Sequence, residues 1–194
     1  MTNNCLLCGV GGQGTVLASK LIAFAAMEKS QNVRTAETIG MAQRGGCVVS
    51  HTRIGDVIHS PLIPKGDADI LIGFEPGEAL RCLPYLKKDG VAVVNTKAVQ
   101  PVTASLSGGS YCGEDMLTAL KAKVKELILI DGEEICNQCG SPKVLNLALL
   151  GAAAASGRLG ITVEELEEAI RKRIPPKFQE MNLKAVTLAA ETIR

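Results

Sequence analysis

The sequence predicts an α/β protein of three layers, α/β/α, built on a mostly parallel Rossmann-like sheet with a β-hairpin arm and C-terminal helices. Three observations carry that expectation. The apolar run Cys5-Leu6-Leu7-Cys8 passes straight into Gly9-Val10-Gly11-Gly12-Gln13-Gly14, and a helical stretch follows at once. That is a G-x-G-x-x-G turn with the strand before it and the helix after it that such a motif needs. Further apolar runs alternate with helical stretches downstream, the signature of a parallel sheet covered on both faces. From residue 143 onward the pattern is helical throughout.

Composition bounds the rest. A chain of 194 residues with 46% hydrophobic content suits one domain, residues 1–194, with a sizeable core. A net charge of +1 gives no electrostatic case for nucleic acid. No apolar run approaches the roughly 20 residues of a membrane span, and the short polar stretch before Cys5 reads as no signal peptide. The 7 cysteines form an odd set, and several fall in apolar strands or helices, so free thiols in a reducing cytoplasm are expected rather than a disulfide framework.

In chain order, residues 13–30 read as an amphipathic helix, with Val16, Leu17, Leu21, Phe24 and Ala25 on one side. Residues 32–38 fit a strand. A loop without helical period follows, Ile39-Gly40-Met41-Ala42-Gln43-Arg44-Gly45-Gly46. Residues 47–54 alternate strictly, and Gly55-Asp56 offers a two-residue turn into Val57-Ile58-His59, which predicts a hairpin arm. The βα alternation then resumes: strands over 69–74, 91–94 and 127–130, helices over 78–86 and 114–122. Three helices close the chain, over 143–156, 162–173 and 178–193. Thr162 and Glu165 form a capping box, and Pro175-Pro176 separates the last two helices.

Ligands of doubly wound sheets sit at the carboxyl ends of strands. Gly9, Gly11, Gly12, Gln13 and Gly14 fall at such an end and make the candidate cofactor-binding turn, with helix amides free to meet an anionic group. Glu37, Glu75, Asn95 and Asp131 end other strands. For Glu75 and Asp131 the plainer reading is a helix cap or an exposed loop acid. Glu37 stands at roughly the distance expected of a ribose-binding acid, so a self-sufficient NAD(P)-binding Rossmann-like oxidoreductase is one functional reading. The adenylating fold of ubiquitin-activating-like enzymes shares the glycine pattern, but its Asn-Leu-Asn-Arg-Gln stretch and paired zinc cysteines have no full counterpart here. Cys5 and Cys8 lie on opposite faces of a strand and cannot share one ion. Cys136-Asn137-Gln138-Cys139 is placed near a loop without a partner pair, so no metal site is expected. His51 and His59 have no nucleophile beside them and read as structural. No catalytic residue is assigned in this chain.

Three segments together resemble one family. They are the glycine turn with its small-residue helix, the stretch Thr38-Ile39-Gly40-Met41-Ala42-Gln43-Arg44-Gly45-Gly46 leading into Val48-Val49-Ser50-His51-Thr52-Arg53-Ile54-Gly55, and Asn146-Leu147-Ala148-Leu149-Leu150-Gly151. The set is similar to the gamma-type domain of 2-oxoacid:ferredoxin oxidoreductases, over nearly the whole chain. Many pyruvate- and 2-oxoglutarate-type members carry Tyr-Gly-Pro-Glu-Ala-Arg-Gly-Gly in that loop. Met41-Ala42-Gln43 ahead of Arg44 looks more like the beta subunit of the indolepyruvate enzymes. The resemblance implies an enzyme subunit, inactive alone, with no cofactor of its own. Thiamine diphosphate and iron–sulfur clusters are expected in a large partner subunit, with coenzyme A and ferredoxin serving the assembled complex. It further implies that Gln43, Arg44, Gly45, Gly46 and Ser50 contact the partner or its active site.

Overall fold

A computed structural model describes residues 2–40, 46–100 and 111–193. Six strands form one sheet in the order β2-β3-β1-β4-β5-β6. β1 (Thr2–Val10), β4 (Ala68–Gly73), β5 (Leu86–Asn95) and β6 (Glu126–Ile130) run parallel to one another. β2 (Asn32–Ile39) and β3 (Cys47–Gly55) form an antiparallel hairpin, and β3 also pairs antiparallel with β1, Val10 opposite Cys47 and Thr2 opposite Gly55. The hairpin is therefore real but displaced from the predicted one. Residues 57–59 form no strand, because β3 finds both of its partners in β1 and β2, leaving no edge for a third.

Helices cover both faces. On one side lie α1 (Thr15–Glu28), α5 (Leu145–Ala155), α6 (Val163–Arg173) and α7 (Pro176–Glu191), joined by α4 (Gly132–Cys139). On the other lie α2 (Pro76–Cys82) and α3 (Gly113–Lys123). The two cores are separated by the sheet, and β1 serves both: Cys5 and Leu7 point into the larger core, Leu6 and Cys8 into the smaller. That alternation settles the geometry of Cys5 and Cys8 on opposite faces.

Four local expectations are corrected. The buried face of α1 is Ala18, Leu21, Ile22, Ala25 and Ala26, while Leu17 is exposed, because the sheet lies on the small-residue side of that helix. The helix after β4 stops at Cys82, and Pro84 carries the chain into a single 3-10 turn, Leu83–Tyr85. β5 starts at Leu86, since the polar run Lys87-Lys88-Asp89 still extends beside Ala68 before the register shifts. Residues 132–139, where the sequence suggested no element and placed Cys136–Cys139 only near a loop, form a helix, with Asp131 as its cap and only Gly132, Ile135 and Cys136 buried. Thr162 and Glu165 do close the capping box, at 3.3 and 2.8 Å.

Candidate functional site

The switch point of the sheet lies between β1 and β4, where consecutive crossovers leave in opposite directions. The glycine turn sits there. Gly14, at φ +82°, is the N-cap of α1, in a left-handed conformation that an L side chain rarely takes. Gly9 is required for a different reason: a β-carbon on it would stand 2.7 Å from Phe74 Cβ and 2.6 Å from Gln13 Oε1. The turn is thus pressed against the end of β4, whose Phe74 N donates to Cys8 O at 2.8 Å.

Gln13 folds inward. Its Oε1 accepts from Val10 N at 2.8 Å and its Nε2 donates to Phe74 O at 3.0 Å. The same carbonyl accepts from Asn95 Nδ2 at 3.1 Å, and Asn95 Oδ1 accepts from Gly132 N at 3.2 Å. Two carboxamides therefore lace the ends of β1, β4 and β5 to the start of α4. The expected ligand residue Gln13 spends both polar atoms on this chain's own backbone.

The acids at strand ends behave as caps. Glu75 Oε2 accepts from Glu78 N at 2.9 Å, and Asp131 Oδ1 accepts from Glu134 N at 3.0 Å. Glu75, almost wholly buried, also accepts from Val99 N at 3.3 Å and from the Tyr111 hydroxyl. Burial, then the neighbouring carboxylate, pushes the Tyr111 phenol well above its usual range and keeps it a donor. Glu37 is exposed on β2, separated from β1 by the whole of β3, so it stands about two strand spacings, ~10 Å, from the strand that carries the turn. A ribose-binding acid belongs on the strand beside the turn.

The two predicted contact segments meet. Gly11 N donates to Gly46 O at 2.8 Å, so the loop that enters β3 abuts the glycine turn. Gln43, Arg44 and Gly45 lie outside the described residues. Ser50 is fully buried on the α1 face of β3, opposite Leu7, and its hydroxyl has no hydrogen-bond partner among the described residues. Thr52 Oγ1, on the same face of β3, donates to Ser19 Oγ at 3.4 Å and ties the strand to α1. His51 is buried too; its Nδ1 accepts from Ile63 N at 3.1 Å and its ring meets Tyr85 edge-on.

Sequence reasoning missed one residue at this corner. Asn146, at the start of α5 and 4% exposed, has its Nδ2 within 2.9 Å of where a β-carbon on Gly14 would stand. Its place in the segment shared with the family was the available signal. Among the described residues no three cysteine, histidine or acidic side chains converge as metal ligands would. Cys136 and Cys139 lie one turn apart on α4, with no third ligand beside them among the described residues.

An open, mostly parallel sheet with a glycine turn at its switch point and helices on both faces defines a Rossmann-like three-layer α/β fold. The chain belongs to the pyruvate ferredoxin/flavodoxin oxidoreductase family, which it matches over residues 4–192. Indolepyruvate oxidoreductase subunit IorB of Archaeoglobus fulgidus is 39% identical over 189 residues, covering 97% of this chain and 94% of that one. The pyruvate/ketoisovalerate oxidoreductases common subunit gamma of Pyrococcus abyssi is 30% identical over 188 residues, 94% of this chain and 92% of its own. Among solved structures, pyruvate oxidoreductase subunit PORC of Thermotoga maritima superposes with a TM-score of 0.74 at 22% identity, over 98% of this chain and 96% of that one. At that identity the likeness is one of fold.

Proposed function

We propose that the chain is the non-cluster subunit of a thiamine-diphosphate-dependent 2-oxoacid:ferredoxin oxidoreductase that decarboxylates indolepyruvate or other aryl pyruvates. In that reaction one 2-oxoacid, one coenzyme A and two oxidised ferredoxins give carbon dioxide, an acyl-CoA, a proton and two reduced ferredoxins. The observation that carries this reading is the end-to-end match to a chain named as an indolepyruvate oxidoreductase subunit, over more than nine tenths of both. The cofactor-borne chemistry belongs to a large partner subunit. What this chain contributes is a rigid edge: the glycine turn, held by Gln13 and Asn95, and the Gly46 end of the adjoining loop.

Two exposed apolar side chains flank that edge, Leu17 on the first turns of α1 and Ile39 at the end of β2. Apolar side chains left bare around a polar turn suit a surface that a partner covers. In this reading Arg44 couples a fixed positive charge to flanking glycines and pairs with a carboxylate or phosphate of the partner, its cofactor or coenzyme A. The 7 thiols, all free, support assembly in a reducing cytoplasm.

Reconstitution tests the proposal. The free chain should not reduce a viologen dye with indolepyruvate, coenzyme A and thiamine diphosphate, and should do so once the large subunit is added. Turnover by the single chain, or none by the pair, sinks the assignment. Arg44→Lys should lower reconstituted turnover or subunit affinity and leave the melting temperature of the free chain nearly unchanged.

A further inference from the structure

Three of the free thiols converge on the α2 face of the sheet from separate elements. Cys8 on β1 and Cys82, the last residue of α2, are fully buried in the smaller core, with their side chains in hydrogen-bond contact. Cys8 Sγ also lies 3.8 Å from Ile72 O. Cys47, the first residue of β3, is exposed. Val49 stands directly opposite Cys8 in the same core, so Cys47, two residues before it, projects on that face as well. It pairs with Val10 and is the diagonal neighbour of Cys8, at about 7–8 Å between α-carbons. Cys8 leads into the glycine turn and Cys47 follows Gly46, so the cluster underlies the edge where those two segments meet.

The three sulfurs differ in character. Arg81 stands within electrostatic reach of both Cys82 and Cys47, and donates to Glu78 Oε2 at 2.5 Å. The Cys8 hydrogen bond, and then the Arg81 charge, hold the Cys82 thiol below its ordinary value against the opposing effects of burial and Glu78. The same hydrogen bond, with burial, pushes Cys8 up. A sulfur inclined to ionise, touching one that keeps its proton, suits thiol–disulfide exchange. Cys5, Cys136 and Cys139 lack that pairing. Cys5 faces the opposite core, where burial pushes its thiol well above the usual range. Burial also raises Cys136 and Cys139. These two lie one turn apart on α4, a spacing that sets β-carbons about 5–6 Å apart, whereas a disulfide brings them to about 3.5–4.5 Å.

We propose that Cys47, Cys82 and Cys8 form a thiol–disulfide exchange site that takes a low-molecular-weight disulfide and stores its oxidation as a Cys8–Cys82 bond between β1 and α2. The exposed Cys47 thiolate attacks one sulfur of the small disulfide, forming a mixed disulfide and releasing one small thiol. The Cys82 thiolate attacks the Cys47 sulfur and releases the second small thiol. Cys8, giving up its proton, then attacks the Cys82 sulfur, and Cys47 leaves as a thiolate and regains a proton. In sum two protein thiols are oxidised and one disulfide is reduced to two thiols. Arg81, in reach of Cys47 and Cys82, stabilises the thiolate at each exchange. The bond clasps the base of the glycine turn to α2, and a reducing compartment keeps it open.

Exposing the full folded chain to oxidised glutathione, then alkylating and mapping its peptides by mass, tests the site. A Cys8–Cys82 disulfide should form with release of two reduced glutathiones per chain, and a dithiol reductant should reverse it. Cys47→Ser, which leaves both buried thiols in place, should slow its formation about ten-fold or more. In Cys8→Ala the oxidation should halt at a Cys47–Cys82 bond. Should that core variant fail to fold, the wild-type map and the Cys47→Ser rate decide without it. No Cys8–Cys82 bond in the wild-type chain, or a Cys136–Cys139 bond in its place, overturns the proposal. A wild-type rate in Cys47→Ser overturns it too, because the buried pair would then be oxidised without the entry thiol.

Discussion

Removing the Gln13 carboxamide leaves Val10 N, inside the turn, with no acceptor and takes from Phe74 O one of its two donors. An unsatisfied buried backbone group costs about 1–3 kcal/mol. Gln13→Ala should therefore lower unfolding free energy by about that amount in urea titration, and Gln13→Glu by more, because a carboxylate oxygen would face the Phe74 carbonyl. Unchanged stability in the alanine variant would show that the carboxamide is not holding the turn. His51 makes a pH-dependent prediction. Burial holds its pKa below the ordinary histidine value, so the folded state keeps the ring neutral and accepting from Ile63 N. Below pH ~6.5 the unfolded chain then binds the extra proton first, and stability falls as pH drops through that value while staying full above it. Urea midpoints taken from pH 8 to pH 5 should show this decline, and His51→Phe should flatten it.

At the scale of elements, the firmest packing constraint lies between α5 and α7. A β-carbon on Gly151 would meet Val186 O at 2.5 Å and Val186 Cα at 2.8 Å, backbone atoms that cannot rotate aside. Gly151→Ala should force the helices apart and cost at least the roughly 1–3 kcal/mol of an overpacked core. Thr162→Ala, which only opens the capping box of α6, should cost about 1 kcal/mol. Thermal melts of the two variants rank the effects, and the reverse order would mean that the helices can slide. The elements most legible in the sequence were those whose signal is local: β1, β4 and β6 as apolar runs, and α6 from its cap. α4 was hidden because its sequence, GEEICNQC, buries little besides Ile135 and Cys136. The start of β5 was hidden because Lys87 and Lys88 lie in the strand, Lys87 pairing with Asp69 at 2.5 Å.

For the whole molecule, strand order decides between ligand classes. With β3 inserted between β1 and β2, Glu37 lies two strands from the strand that carries the turn, and the Gln13 carboxamide is bonded to Val10 N and Phe74 O, which argues against a dinucleotide at the turn. The chain should leave NADH fluorescence unchanged at concentrations where Rossmann dehydrogenases saturate. A saturable response lost in Glu37→Ala would restore the self-sufficient oxidoreductase reading.

The sequence by itself determined the fold class, the position of the glycine turn and the family, because strand runs, turn residues and caps are written in short-range pattern. Tertiary structure alone decided that β3 enters the sheet beside β1, that Ser50 is sealed beneath α1, that Gln13 turns inward and that Asn146 faces Gly14. Each of these joins residues far apart in the chain or depends on which face a side chain takes, and pairing and facing are set by the sum of the packing contacts, which no local pattern encodes.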